Sequence, residues 1–239
     1  MLDFSKMTKK DFGKCFDYAI LRKDITEAEI RDHCKIAIQY NCKAFCFGSS
    51  YWTPVVAEEP AGTDVLGGAG IGSPFGNQPS IVKCCEVEDA VKKGATVLDN
   101  CMNLHDLKDK KYGVILQEFK DYVKAAQGVM TKMIIDVAFL TDEEIVAACK
   151  LIAEAGIDWA KSATGQWEGP SMAQCRLMVK TLEGTNTKVK ISGVKFPHPQ
   201  NAYAYLLAGA ELIGTRQAPY IIDQLDTFRE IGMIPAYQG

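Results

Sequence analysis

Short apolar runs rich in β-branched residues recur along the chain, each followed by a longer stretch in which apolar positions return every three or four residues. Eight runs stand out as strand candidates: Lys14–Ala19, Lys43–Gly48, Asp64–Ile71, Thr96–Met102, Lys132–Val137, Asp158–Ser162, Lys188–Ser192 and Leu212–Thr215. Strand alternating with helix predicts parallel βα units, and eight of them within 239 residues predict an α/β fold, a single (β/α)8 TIM barrel over residues 1–239. The junctions Ala153-Glu154-Ala155-Gly156-Ile157-Asp158 and Leu207-Ala208-Gly209-Ala210-Glu211-Leu212 are near-copies, and Gly94-Ala95-Thr96-Val97 has the same shape. Such repetition, without a proline-rich or low-complexity linker, favours one closed array over two domains, because closure leaves no free sheet edge.

Helix starts are expected where a hydroxyl precedes a short polar turn: at Thr26, at Thr141 and at Ser171. Thr141 with Glu144 and Ser171 with Gln174 fit a capping box. Gly94, Gly156, Gly184 and Gly209 are expected to end helices. The run Gly67-Gly68-Ala69-Gly70-Ile71-Gly72 leads into neither a Lys-Ser/Thr helix nor a strand with a following acid, so it reads as close backbone packing rather than a nucleotide loop.

Composition narrows the function classes. With 47% hydrophobic and 24% charged residues the chain is of ordinary globular type, and its formal charge of -3 comes from intermixed acids and bases, which offers no basic face to nucleic acid or to an anionic membrane. No run reaches the roughly 18 to 20 apolar residues that span a bilayer, and the first residues lack a signal-peptide pattern, so a cytoplasmic protein is expected. Nine cysteines without a CxxC pair are expected to be reduced thiols, and His33, His105 and His198 show no ligand spacing, so neither a metal nor another cofactor is expected. Chemistry should then rest on side chains.

In a barrel of this kind the site lies at the carboxyl ends of the strands. Asp99, Lys161 and Lys190 end or lie late in apolar strands. Burying an ammonium group costs several kcal/mol, and that cost favours a neutral amine able to attack a carbonyl. The plainer alternative is that both lysines extend their stems and keep their heads in water.

The segment Asp158-Trp159-Ala160-Lys161-Ser162-Ala163-Thr164-Gly165 resembles the strand-6 motif of deoxyribose-phosphate aldolases, and Lys190-Ile191-Ser192-Gly193-Val194-Lys195 resembles their strand-7 motif. Thr96-Val97-Leu98-Asp99 is similar to their strand-4 segment, and Phe16-Asp17-Tyr18-Ala19-Ile20-Leu21, Lys132–Glu144 and Gly209–Thr215 extend the likeness along the chain. The resemblance implies a metal-free aldolase of the imine-forming type. Lys161 would form the imine, Lys190 would keep that amine available for attack, and Asp99 with a water would move protons. It also implies substrate contacts at Asp17, Cys46, Thr164, Gly165, Gly193, Lys195, Gly214 and Arg216, a small aldehyde or sugar-phosphate substrate, and homodimers or larger homo-oligomers. For Asp17 a structural role in closing the first strand is the alternative, and Cys46 is expected as wall rather than catalyst.

The phosphate end departs from the family pattern. Where relatives carry paired glycines after strand 7 and paired serines after strand 8, this chain has Gly193-Val194-Lys195 and Gly214-Thr215-Arg216-Gln217. Arg216 could grip an anion as a fork and Lys195 as a point charge. Trp167 and Glu168 are expected to narrow the site and repel an anion, and His198 is expected as a surface turn residue. Three readings follow: an aldolase of 2-deoxyribose 5-phosphate, a diverged imine-forming aldolase for another short sugar or aldehyde, and a barrel that binds a sugar phosphate without turnover.

Overall fold

A computed structural model describes residues 2–239, and in it eight parallel strands pair in sequence order and close, β8 against β1. The strands are β1 (Phe16–Ile20), β2 (Ala44–Phe47), β3 (Leu66–Ile71), β4 (Val97–Cys101), β5 (Met130–Ile134), β6 (Trp159–Lys161), β7 (Lys188–Ser192) and β8 (Leu212–Thr215). Principal helices follow them in turn: α1 (Glu27–Gln39), α2 (Thr53–Glu58), α3 (Ser80–Lys92), α4 (Tyr112–Ala125), α5 (Asp142–Ala155), α6 (Met172–Leu182), α7 (His198–Leu207) and α8 (Ala218–Asp223). The (β/α)8 architecture read from the alternation is therefore the observed one.

Local chemistry accounts for the helix starts. Thr141 and Ser171 each accept from the backbone three residues on, and Glu144 and Gln174 return the bond. Thr26 and Glu29 close the same reciprocal pair, a box the sequence reading had placed only at the other two helices. Gly156 ends α5 in the left-handed region at φ 78°, where a side chain would be strained.

The apolar core fills the layer between barrel and helices, with Phe12, Phe16, Phe45, Phe119 and Tyr203 among its largest members. Inside the barrel the fully buried apolar side chains are small: Ala44, Cys46 and Val97 form a separate cluster. Glycines widen that interior further. A Cβ on Gly214 would stand 2.3 Å from Ser192 Oγ and 2.9 Å from Lys190 Cε, so β8 is bare where the Lys190 stem passes. The run after Asp64 serves packing too, since a Cβ on Gly67 would meet the Val56 carbonyl oxygen of α2 at 2.4 Å.

β5 begins and ends earlier than the expected Lys132–Val137. The apolar run continues through Ile135 and Val137, but Asp136 turns into the left-handed region at φ 43° and Val137–Phe139 form a single 3-10 turn. Hydrophobicity persists past the point where the ladder stops, because those residues are still buried.

Candidate active site

Five strands send charged side chains into the barrel. The register sets Asp99 of β4 beside Lys132 of β5, and Lys161 of β6 beside Lys190 of β7. Asp99 Oδ2 accepts from Lys161 Nζ at 2.6 Å and from Lys190 Nζ at 3.0 Å, while Lys132 Nζ lies 3.7 Å from Asp99 Oδ1. Below them Asp17 Oδ2 accepts from Lys190 at 2.6 Å and also from Lys132. Three lysine side chains thus share two carboxylates in the barrel interior.

Burial pushes the Asp99 carboxyl upward, yet Lys161, Lys190 and Lys132 outweigh it and hold the group well below the usual carboxylate range. Asp17 is lowered too: burial opposes ionisation, and the charges of Lys132 and Lys190 overcome it. For Lys190 burial favours the neutral amine, but Asp17 and Asp99 together raise its pKa well above that of a free lysine. Both aspartates are therefore carboxylates, and Lys190 is a fixed cation.

A cavity of about 690 Å³ opens above this network, and Asp99 and Lys161 form part of its wall. Asp17, Lys132 and Lys190 are fully buried and do not line it, so they lie beneath its floor. Of the expected substrate contacts, Cys46, Thr164, Gly165, Gly193, Gly214 and Arg216 border the cavity. Burial pushes the Cys46 thiol up to about 12, so it stays a thiol in the wall. Thr164 has its backbone amide and hydroxyl committed, both donating to Asp136 Oδ1, at 2.7 and 3.0 Å.

Several expectations need correction. Asp17 is no substrate contact: with both partners at zero exposure it serves to compensate Lys132 and Lys190. Lys195 is exposed, does not border the cavity and pairs with Glu168, which also offsets the repulsion expected of that acid. Trp167 does not narrow the cavity; its ring rests between Phe75 and Phe139, at centroid distances of 5.7 and 5.4 Å. His198 is a wall residue, half-buried, with Nδ1 enclosed and unpartnered, rather than a surface turn residue.

Lys132 is the charged residue the sequence reading missed, although the cost of a lysine in an apolar strand applied to it as it did to Lys161 and Lys190. Asp136 was missed as well. Burial raises its carboxyl, against the two donations from Thr164, and its strained backbone turns the carboxylate toward the loop after β6. Beside that contact, Ile135 N donates to Lys161 O at 3.0 Å and Val137 N to Ser162 O at 2.9 Å. The end of β5 thus fixes the strand that carries Lys161. Among the described residues no group of three or more His, Cys, Asp or Glu side chains is placed to hold a metal ion.

A family model described as DeoC/LacD family aldolase matches residues 13–195, which include every member of the charged network. The chain belongs to that aldolase family. Within the DeoC/LacD aldolases it is similar to "Deoxyribose-phosphate aldolase 1" of Mesoplasma florum, 35% identical over 211 residues that cover 88% of this chain and 94% of the relative. It is likewise similar to a Clostridium tetani protein named deoxyribose-phosphate aldolase, 34% identical over 215 residues, covering 90% and 99% of the two chains. Among solved structures, "QR15, an Aldolase" superposes with a TM-score of 0.83 at 28% identity and covers 92% of this chain and 98% of its own. As a DeoC/LacD aldolase the chain is a carbon–carbon lyase. No helix among the described residues is long and apolar enough to cross a membrane.

Proposed function

We propose that the protein cleaves 2-deoxyribose 5-phosphate reversibly to glyceraldehyde 3-phosphate and acetaldehyde through an imine on Lys161. One observation carries this reading: of the three lysines in the barrel, only Lys161 borders the cavity, and it does so beside Asp99. The Lys161 amine adds to the C1 carbonyl of the open-chain sugar, and the adduct loses water to give the imine. A base takes the proton of the C3 hydroxyl, the C2–C3 bond breaks, and its electron pair flows into the imine to leave an enamine. Glyceraldehyde 3-phosphate departs, the enamine is protonated at carbon, and water releases acetaldehyde and the free amine.

Asp99 is the group placed for these proton transfers. One of its oxygens holds Lys161 and Lys190, while Oδ1 is buried without a hydrogen-bond partner. Through a water, the hydroxyl proton is relayed in the transition state to this unpartnered Asp99 oxygen. Lys190, held charged underneath, supplies a fixed field without entering the reaction.

Arg216, at the cavity's lip beyond β8, is the cation assigned to the 5-phosphate, since Lys195 is engaged with Glu168. Relatives named deoxyribose-phosphate aldolase over nearly their whole length support the same substrate. The test is intact mass after incubation with acetaldehyde and borohydride, followed by peptide mapping. A stoichiometric reduced adduct on Lys161, absent in Lys161→Met, is the expected result. An adduct elsewhere, or turnover retained in that variant, overturns the assignment.

A further inference from the structure

In the closed order of eight strands β5 stands opposite β1, so the stem of Lys132 crosses the barrel to bring its amine to Asp17 Oδ2. Neither side chain has any exposure. The register sets Lys132 beside Asp99, and the buried Tyr122 of α4 ties β4 to β5 at that point, its hydroxyl 2.9 Å from Leu98 O and 3.3 Å from Lys132 O. Contacts in the interior then run in one alternating line: Lys132 to Asp17, Asp17 to Lys190, Lys190 to Asp99 and Asp99 to Lys161. Lys161 is the end that borders the cavity. Lys132, the other end, lines no part of it.

Stability alone gives no reason for the Lys132 end of this line. A buried acid and amine can commonly be replaced by apolar side chains of the same volume without loss. Competition for Lys190 does give one. Its Nζ lies 2.6 Å from Asp17 Oδ2 and 3.0 Å from Asp99 Oδ2, so two carboxylates draw on one cation. Asp17 Oδ2 is divided between two donors, and its pull on each is weaker than its pull on either alone. Little else is placed to occupy Asp17: its Oδ1 has no partner, β8 sets Gly214 beside it, and the Cys46 thiol keeps its proton. The balance matters most once Lys161 reacts. In passing from amine to imine the Lys161 nitrogen gives up N–H groups, and the bond from Lys190 then carries more of the Asp99 carboxylate.

We propose that Lys132 is a positioning residue for the reaction: by occupying Asp17 from across the barrel, it leaves Lys190 with Asp99 while Lys161 carries the imine. This role rests on the imine reading above. Without Lys132, Asp17 draws Lys190 to itself, and Asp99 faces the imine without its second partner. With Asp17 neutralised as well, that pull is gone and Lys190 settles under Asp99 again. Removing the second residue therefore restores what removing the first destroyed, a sign that a purely structural Lys132 would not produce.

The experiment compares the native protein, Lys132→Met and the double variant Lys132→Met with Asp17→Asn in the cleavage of 2-deoxyribose 5-phosphate. Methionine keeps the length of the stem and removes the amine. Rates are divided by the number of sites trapped on Lys161 with acetaldehyde and borohydride, so that unfolded protein does not count. Lys132→Met is expected to lose about tenfold or more in kcat through the displacement of Lys190, with KM changed by a smaller factor than kcat. The double variant is expected to be at least about fivefold faster than Lys132→Met. If Lys132→Met does not fold, the double variant decides, because it removes both partners of the buried pair: kcat within about tenfold of native is then expected, and a larger loss overturns the role. A smaller loss in Lys132→Met, a KM change as large as that in kcat, or a double variant without the recovery also overturns it, and each leaves the imine reading standing. Absence of any borohydride-trapped adduct on Lys161 in the native protein overturns the imine reading instead.

Discussion

Replacing Asp17 with asparagine keeps the volume and removes one of the two negative charges that face three lysine side chains. Asp17 and Lys190 are 2.6 Å apart with neither side chain exposed, and Lys132 binds the same carboxylate oxygen. At the effective dielectric of about 20 that suits protein interiors, the Lys190 contact alone amounts to roughly 6 kcal/mol of attraction. Most of that attraction offsets the cost of having taken the charges out of water, and removing one partner of a buried pair typically costs about 3–5 kcal/mol net. A chain of this length loses about 2–4 °C in Tm per kcal/mol, so Asp17→Asn should melt roughly 6–20 °C lower. Differential scanning calorimetry with urea titration at pH 7 measures both quantities. A loss under about 1 kcal/mol would refute the reasoning, since it would mean that water or another anion already compensates Lys132 and Lys190.

Four further outcomes test other parts of the site. Gly214→Ala should cost about 1–3 kcal/mol in stability, because its Cβ meets Ser192 Oγ and the Lys190 stem, and unchanged stability by urea titration would mean that β8 can shift away. The same variant should lose about a hundredfold in kcat by displacing Lys190 under Asp99, which steady-state assays read directly. Arg216→Ala should raise KM for phosphorylated substrates by about tenfold or more and leave unphosphorylated ones unaffected; equal losses on both would place the phosphate elsewhere. For Asp99, a folded pKa below the unfolded value means its stabilisation is complete above the unfolded pKa of about 3.9 and is lost only as pH falls through the lower folded value. The gap in urea midpoint between the native protein and Asp99→Asn should hold from pH 7 to about 4 and narrow only below that; narrowing between pH 7 and 5 would contradict the assigned charge state.

Much of the barrel could be read from the sequence because the strands are short apolar runs, several of them preceded by a glycine that ends the helix before. β7 and β8 were placed to the residue, at Lys188–Ser192 and Leu212–Thr215. β5 was set two residues late, and that slip hid Lys132. As the first residue of the expected strand it was not among the candidates, whereas a strand starting at Met130 carries it inside. Lys161, Lys190 and Asp99 were legible because each is a charged residue late in or at the end of an apolar run. What pattern could not convey is the third dimension of the loops. Lys195 follows Gly193 closely in sequence yet turns outward to Glu168, and His198, a turn residue on paper, folds inward as α7 begins. Both outcomes depend on long-range partners that no local period records.

The division between strands and loops has a consequence for altering the protein. Asp17, Asp99, Lys132, Lys161 and Lys190 all stand on strands, each braced by another member of the set, while Gln166, Arg216 and Gln217 extend from connections on the open face. Reactivity and preference are therefore inherited separately. Grafted segments at 165–169, 194–198 or 216–217 can be exchanged between such barrels to retarget them without retuning the amine, and a mutant library confined to those connections samples new acceptors at little risk to the chemistry. Interior drift has no such freedom, because each charge there answers for at least one other.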